Sequence, residues 1–255
     1  MIFQIWGKLF IPDRDLIVNK ETKNQLTYFR KKLKDNSNKE RAINGKRYLK
    51  SPHKFFGVSL PVTGMIAKEF RKLNPKAEKK FIIALVNNLW NSEYHDEKKL
   101  GLRILQFFPE HLDYSVMPFL EKMLQQSTGW DFVDDISIHL IGTVLEKDKR
   151  VYDYLKKWSR SENFWMKRSS LISQILLFRN GRGDKELFFK FAEKMISEKE
   201  FFIRKAMGWC LREISKATPE DAFKFLIKIK GRASGLTMRE GSKRLPEHKK
   251  TLILK

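Results

Sequence analysis

Ser92-Glu-Tyr-His95, Ser127-Thr-Gly-Trp130, Ser161-Glu-Asn-Phe-Trp165 and Ser197-Glu-Lys-Glu-Phe-Phe202 are the stretches that decide the fold. Each opens on a serine and runs into apolar residues at helical spacing, and the serines stand 35, 34 and 36 residues apart. A shorter helical stretch lies between successive segments, so each unit reads as a helix pair. Periods of roughly 33–47 residues with two helices mark α-solenoids. The tetratricopeptide signature is absent, which leaves the looser HEAT-like class. Such arrays stack helix pairs into a superhelix, with one repeat position lining its inner face. The expectation is an all-α, HEAT-like helical-repeat solenoid with a curved, basic concave groove.

Outward from these segments the helical period continues. Leu26, Phe29 and Leu33 form one stripe, Ile66, Phe70 and Leu73 another, and Phe81, Leu85 and Leu89 a third. Val116 to Leu124, Val133 to Val144, Leu171 to Leu176, Leu187 to Met195 and Ile203 to Ile214 follow. Thr218-Pro-Glu-Asp221 reads as a helix start, with a capping hydroxyl, proline in the first turn and acids at the positive dipole end. The pattern predicts about a dozen helices. Residues 1–20 read as an N-terminal extension and residues 21–255 as a single repeat domain.

Composition bounds the class. The 255 residues carry 52 Lys+Arg against 30 Asp+Glu, a net charge of +22, and 42% are hydrophobic. That apolar content excludes a disordered polycation. A single cysteine excludes a disulfide scaffold and fits a reducing, cytoplasmic setting. No apolar run approaches the ~18 residues of a membrane span. The apolar start, Met1-Ile-Phe-Gln-Ile-Trp-Gly-Lys8, is too short for a signal peptide and lacks a cleavage site. So basic a chain calls for a polyanion partner.

The charge is unevenly spread. Residues 23–54 are net +9 and residues 231–255 net +5, whereas residues 109–148 are net −6. Basic flanks suit a groove that grips phosphates at its ends, and they equally suit plain solubility. The seventh residue after each repeat serine is Lys99, Asp134, Arg168 or Arg204. Charges there fit either a functional surface or a solvated helix face.

Few constellations carry chemistry. His53, His95, His111, His139 and His248 show no paired ligand spacing, and Cys210 sits in an apolar stripe as a core residue would. No metal and no cofactor is called for. Gly181-Arg-Gly-Asp184 reads as a turn between helices. Trp130 and Asp134 are different: four residues apart, they share one helical face. An indole beside a carboxylate attracts a cation. The same two residues also fit a tryptophan that packs and an aspartate that complements the helix dipole.

Asn163-Phe-Trp-Met-Lys-Arg168 and Glu200-Phe-Phe-Ile-Arg-Lys-Ala-Met-Gly-Trp209-Cys-Leu-Arg212-Glu213 resemble the signature helices of bacterial AlkD-type DNA alkylation repair enzymes. Trp130-Asp-Phe-Val-Asp134 is similar to that family's catalytic segment. Arg47-Tyr-Leu-Lys50, Phe56-Gly-Val58 and Leu236-Thr-Met-Arg-Glu-Gly-Ser-Lys243 resemble its two ends, so the likeness spans roughly residues 22–245. These relatives are HEAT-like alkylpurine DNA glycosylases. The resemblance places Asp134 on the catalytic carboxylate, Trp130 and Trp209 on the tryptophans flanking the lesion, and Arg168 on the arginine that completes the site. Tyr48 and Arg212 fall on DNA-contacting positions, and Lys205 and Arg204 lie beside them as further phosphate contacts. Gly129 and Gly64 depart from the pattern, standing where relatives often carry a tryptophan and a basic residue.

The resemblance implies hydrolysis of the glycosidic bond of cationic N3- or N7-alkylated purines in double-stranded DNA, without base flipping. It implies a monomer with no obligate protein partner and no membrane. A HEAT-like scaffold that binds damaged or branched nucleic acid without chemistry is the main alternative, and a protein–protein adaptor a third.

Overall fold

The computed structural model describes residues 20–255, so apart from Lys20 the N-terminal extension lies outside the described residues. Every regular element among them is a helix, and one isolated parallel bridge joins Lys54 and Tyr94. The chain forms the helix-pair repeat that its spacing predicts. It gathers into two compact units, one ending at Phe132 and the other Val133–Lys255.

The first unit contains α1 (Lys20–Asp35), α2 (Lys39–Leu49), α3 (Leu60–Leu73), α4 (Lys79–Trp90), α5 (His95–Phe107) and α6 (Met117–Gln125). The boundary falls inside α7 (Trp130–Asp134). Its core is the set of stripes read from sequence: Phe29 and Leu33 of α1, Phe70 of α3, Ile82 and Leu85 of α4 and Leu100 of α5 are buried. Leu73 departs from its stripe. It is the last residue of α3 and is 68% exposed. Helix α5 packs against α1, α3 and α4, and its first turn, His95-Asp-Glu-Lys-Lys99, is buried. Buried charge is tolerated only where it is paired. Here the Asp96 carboxylate accepts the N–H groups of Phe56 and Val58, each at 2.8 Å. Glu97 receives a two-pronged contact from Arg30 at 2.6 and 2.9 Å, and Lys98 donates to the Trp90 carbonyl.

In the second unit the backbone after α7 widens into π-helical turns over Asp135–Ile141 before α8 (Gly142–Lys147). Then come α9 (Val151–Trp158), α10 (Phe164–Ile172), α11 (Ile175–Arg179), α12 (Lys185–Lys194), α13 (Phe201–Ala217), α14 (Pro219–Ile229), α15 (Gly235–Ser242) and α16 (Glu247–Leu254). The π segment, α10, α13 and α15 pack side by side in that order, backed by α9, α12, α14 and α16. There are more segments than the dozen expected, because the stripe at 133–144 is interrupted by the π turns and a break at Ser173-Gln174 separates α10 from α11. The apolar period runs through both interruptions, so it cannot reveal them.

Helix starts follow local chemistry. The side chains of Asn163 and Glu200 cap α10 and α13 by accepting the N–H groups of Trp165 and Phe202. The repeat serines lie just upstream: the hydroxyls of Ser92 and Ser161 accept N–H groups two residues on. Thr218 does not cap α14 as expected, since its hydroxyl turns back to the Ile214 carbonyl at 3.4 Å. Pro219, Glu220 and Asp221 still open that helix. Helices α13 and α15 meet closely at Gly208, where a Cβ would stand 2.5 Å from the Glu240 Cβ. Only glycine permits this approach, and it carries Glu240 to the cations of α13.

Candidate functional site

Asp134 is the last residue of α7 and lies against α10 in the second unit. Small residues bring the two elements together: the Ser137 hydroxyl donates to that of Ser169 at 2.8 Å, both fully buried. A Cβ on Gly142 would stand 3.0 Å from the Ser173 carbonyl oxygen. This contact sets Arg168, on the second turn of α10, opposite Asp134. Its Nε donates to Oδ1 at 2.8 Å and its Nη2 to Oδ2 at 2.9 Å, a fork on both carboxylate oxygens. Nη1 donates to the Phe202 carbonyl at 2.7 Å, and the guanidinium carbon lies 5.8 Å from the centre of the Phe202 ring. The Arg168 side chain is 4% exposed and that of Asp134 14%, so the carboxylate is the more open partner.

Trp209 lies on α13, where its indole N–H donates to Glu213 Oε1 at 3.2 Å. Glu213 is buried, and its other oxygen accepts Arg179 Nε at 2.7 Å and Lys216 Nζ at 2.6 Å. Burial pushes the Glu213 carboxyl up, but the hydrogen bonds from Lys216 and Arg179 outweigh it and leave it below the usual carboxylate range. A second buried carboxylate, Glu240, receives Arg212 Nη1 at 2.5 Å, Lys205 Nζ at 2.9 Å and the ammonium of Lys243. Burial raises it too, yet the hydrogen bonds from Lys243 and Lys205 bring it down to about 2. The structure therefore brings Asp134 and Arg168 together, gathers Lys205 and Arg212 on Glu240, and joins Trp209 to Glu213. Arg204 does not join the Glu240 cluster: its Nε donates to the Glu198 carbonyl at 2.8 Å.

The first unit holds Tyr48 and Trp130. Tyr48 is exposed and meets Trp130 edge-on, ring centres 6.1 Å apart. Behind Trp130, the Asp131 carboxylate accepts a hydrogen bond from His95 Nε2 at 2.8 Å and lies 3.6 Å from Lys99 Nζ. Burial raises Asp131, but the bond from His95 and the charge of Lys99 more than offset it. Gly129 fits this arrangement: a Cβ there would stand 2.9 Å from Asp131 Oδ1. At Gly64, by contrast, a Cβ would meet nothing within 4 Å.

The seventh repeat position has a use that neither sequence reading contains. Lys99 and Arg168 are buried and donate to the backbone carbonyls of Asp131 and Phe202, each in the first turn of the next repeat helix. Sequence reasoning missed Glu213 and Glu240 as organisers. The available signal was the i, i+4 spacing of Trp209 and Glu213 on one helix. For Glu240 there was none, since its partners lie on another element. Cys210 is core, as its stripe predicts. Its thiol is buried and donates to the Leu171 carbonyl, and burial pushes it up.

The sequence model of a family described as DNA alkylation repair enzyme matches residues 29–245. No curated protein matches the chain. Among solved structures, a predicted DNA alkylation repair enzyme from Enterococcus faecalis is similar with a TM-score of 0.74 at 23% identity, covering 83% of this chain and 97% of that one. AlkD2 from Streptococcus mutans is similar with a TM-score of 0.57 at 14% identity, covering 72% of this chain and 89% of its own. At these identities the likeness speaks for the helical-repeat fold.

Proposed function

The chain belongs to the DNA alkylation repair enzyme family, and from that premise we propose that it is a DNA glycosylase acting on cationic N3- and N7-alkylpurines in duplex DNA. The observation that carries this reading is the Asp134–Arg168 pair, a fork on both carboxylate oxygens in which the carboxylate is the more open member.

The chemistry suits these residue types. An alkylated purine with a formal positive charge leaves without a strong general acid, so the paired carboxylates of a sugar hydrolase are not needed. As the bond from C1′ to the base nitrogen breaks, its electrons neutralise the base and positive charge grows on the sugar. Asp134 opposes that charge and orients the water that adds to C1′, whose proton passes to the carboxylate or to solvent. Arg168 fixes the plane of the carboxylate, so no reorganisation is required as the charge develops. Trp130 and Trp209 offer ring faces to the cationic nucleotide. Lys205, Arg212, Arg204 and Tyr48 contact the backbone and position the duplex without reading its sequence. The lesion stays stacked rather than being extruded, in contrast to the usual glycosylase route. The protein acts as a cytoplasmic monomer and needs no cofactor.

The test is release of free 7-methylguanine or 3-methyladenine from methylated duplex DNA, leaving an abasic site. Binding of the same DNA with no base released would instead support the scaffold reading.

A further inference from the structure

A cleft of about 700 Å³ opens in the first unit, where the start of α1 meets the turn between α3 and α4. Glu21 and Thr22 line it from α1, and Leu73, Pro75, Ala77 and Phe81 supply apolar surface. Leu73 belongs to an apolar stripe yet stands exposed at this opening. The turn is held in place. The backbone N–H and the side-chain amide of Asn74 both donate to the Phe70 carbonyl at 3.0 Å, and the Ala77 carbonyl accepts His111 Nε2 at 2.8 Å. The opening is therefore built into the packed unit. Its rim balances Glu21 and Glu78 against Lys76 and Lys80, in a chain of net charge +22. That balance disfavours a polyanion here and suits an apolar, nearly uncharged occupant.

We propose that this cleft is the docking site of the chain's own residues 2–11, which cap the first repeat with Trp6 as the main anchor. Seven of those ten residues are large and apolar: Ile2, Phe3, Ile5, Trp6, Leu9, Phe10 and Ile11. Lys8 is the one charged side chain among them. The segment also joins the fold at the right place, because α1 begins at Lys20 and the next residue, Glu21, already lines the cleft. The eight residues from Pro12 to Asn19 can span about 26 Å, long enough for residues 2–11 to fold back into it. So short a tether gives an effective concentration in the millimolar range, which favours this segment over a separate partner of the same chemistry. A helical array also needs such a cover, since the outer face of its terminal pair has no neighbouring repeat. Residues 2–11 lie outside the family match at 29–245, so the cap is an addition to the family's fold and is independent of Asp134 and its chemistry.

The experiment is acrylamide quenching of Trp6 fluorescence in the full chain, with the Trp6 signal taken as wild type minus Trp6→Phe. Trp6 should be shielded from the quencher, and Leu73→Glu should remove that shielding. Leu73 is exposed, so over an empty cleft Leu73→Glu would leave stability almost unchanged. With the segment docked, it should raise the unfolding constant about tenfold or more, read from urea unfolding. Trp6→Glu should do the same, and the double variant should lose no more than either single one, because both remove one contact. Leu252→Glu puts the same charge on a similarly exposed leucine of α16 in the second unit, and should change neither shielding nor stability. Trp6 open to the quencher in the wild-type chain overturns the proposal, as do additive losses in the double variant. Shielding that fades on dilution, with a dimer seen in sedimentation, overturns it too, because the segment would then cover a second copy.

Discussion

Asp131 and Asp134 stand three residues apart on α7, and the two units hold them by different chemistry. In the first unit, Asp131 is gripped by two separate donors, an imidazole at 2.8 Å and an ammonium at 3.6 Å. In the second, Asp134 meets a planar guanidinium that takes both of its oxygens in one fork. The two side chains are almost equally accessible, 11% and 14%. Burial therefore does not set the carboxylate proposed to act in catalysis apart from its neighbour on the same helix. Partner geometry does, because a fork fixes the carboxylate plane, whereas two independent donors mainly tie the start of α7 to α5.

The largest effect expected from this contrast is on turnover. Asp134→Asn should lower single-turnover base release by about 10²–10³-fold while sparing DNA binding, because an amide cannot oppose charge on the sugar. Asp131→Asn should keep most of the rate. Equal losses in the two variants would mean that both carboxylates serve the fold and that the contrast has no catalytic meaning. Next in size is Arg168→Ala, which takes the two-pronged charge pairing away from a partly buried carboxylate. Its cost should be about 3 kcal/mol, read from urea unfolding. Arg168→Lys retains the charge but loses the fork, so it should recover stability ahead of rate. Recovery of both together would show that charge alone matters. Smaller again, His95→Ala should cost about 1–3 kcal/mol by leaving Asp131 one donor short, with the loss confined to the first unit.

How much of this was legible depended on which physical signal each residue leaves in the chain. The repeat is periodic, so the four serine-led helices and their core stripes could be read directly. Asp134 and Arg168 were legible as positions in matched motifs, but their mutual contact was not. Residues 34 apart carry no local mark of pairing, and it is the close approach of Ser137 to Ser169 that brings them together. Glu240 shows the limit more plainly. It reaches Arg212 across a packing contact made possible by Gly208, and neither glycine nor glutamate announces that in sequence. The charged start of α5, His95-Asp-Glu-Lys-Lys99, looks like a solvated turn and is buried because every group in it finds a partner on another element.

Acid should separate the two units with the smallest effect of the set. Burial, reinforced by the charge of Lys98, lowers His53 in the first unit from 6.5 to about 4. The folded state thus favours the neutral imidazole, and the unfolded chain takes up a proton first as pH falls. This contribution is complete above pH 6.5 and is lost on the way to about pH 4. In the second unit Glu240 is lowered from 4.5 to about 2, so its contribution is complete above pH 4.5 and is lost only below that value. Between pH 6.5 and 4.5 the first unit should therefore loosen while the Glu240 anchor holds. Amide exchange corrected for intrinsic rates can follow α3 and α15 separately through that range. His53→Asn should flatten the response of α3 and leave α15 as it was. His53 is only partly buried, so solvent screening keeps the step small. A simultaneous loss of protection in both helices would show that the His53 step and the Glu240 anchor respond to acid as one.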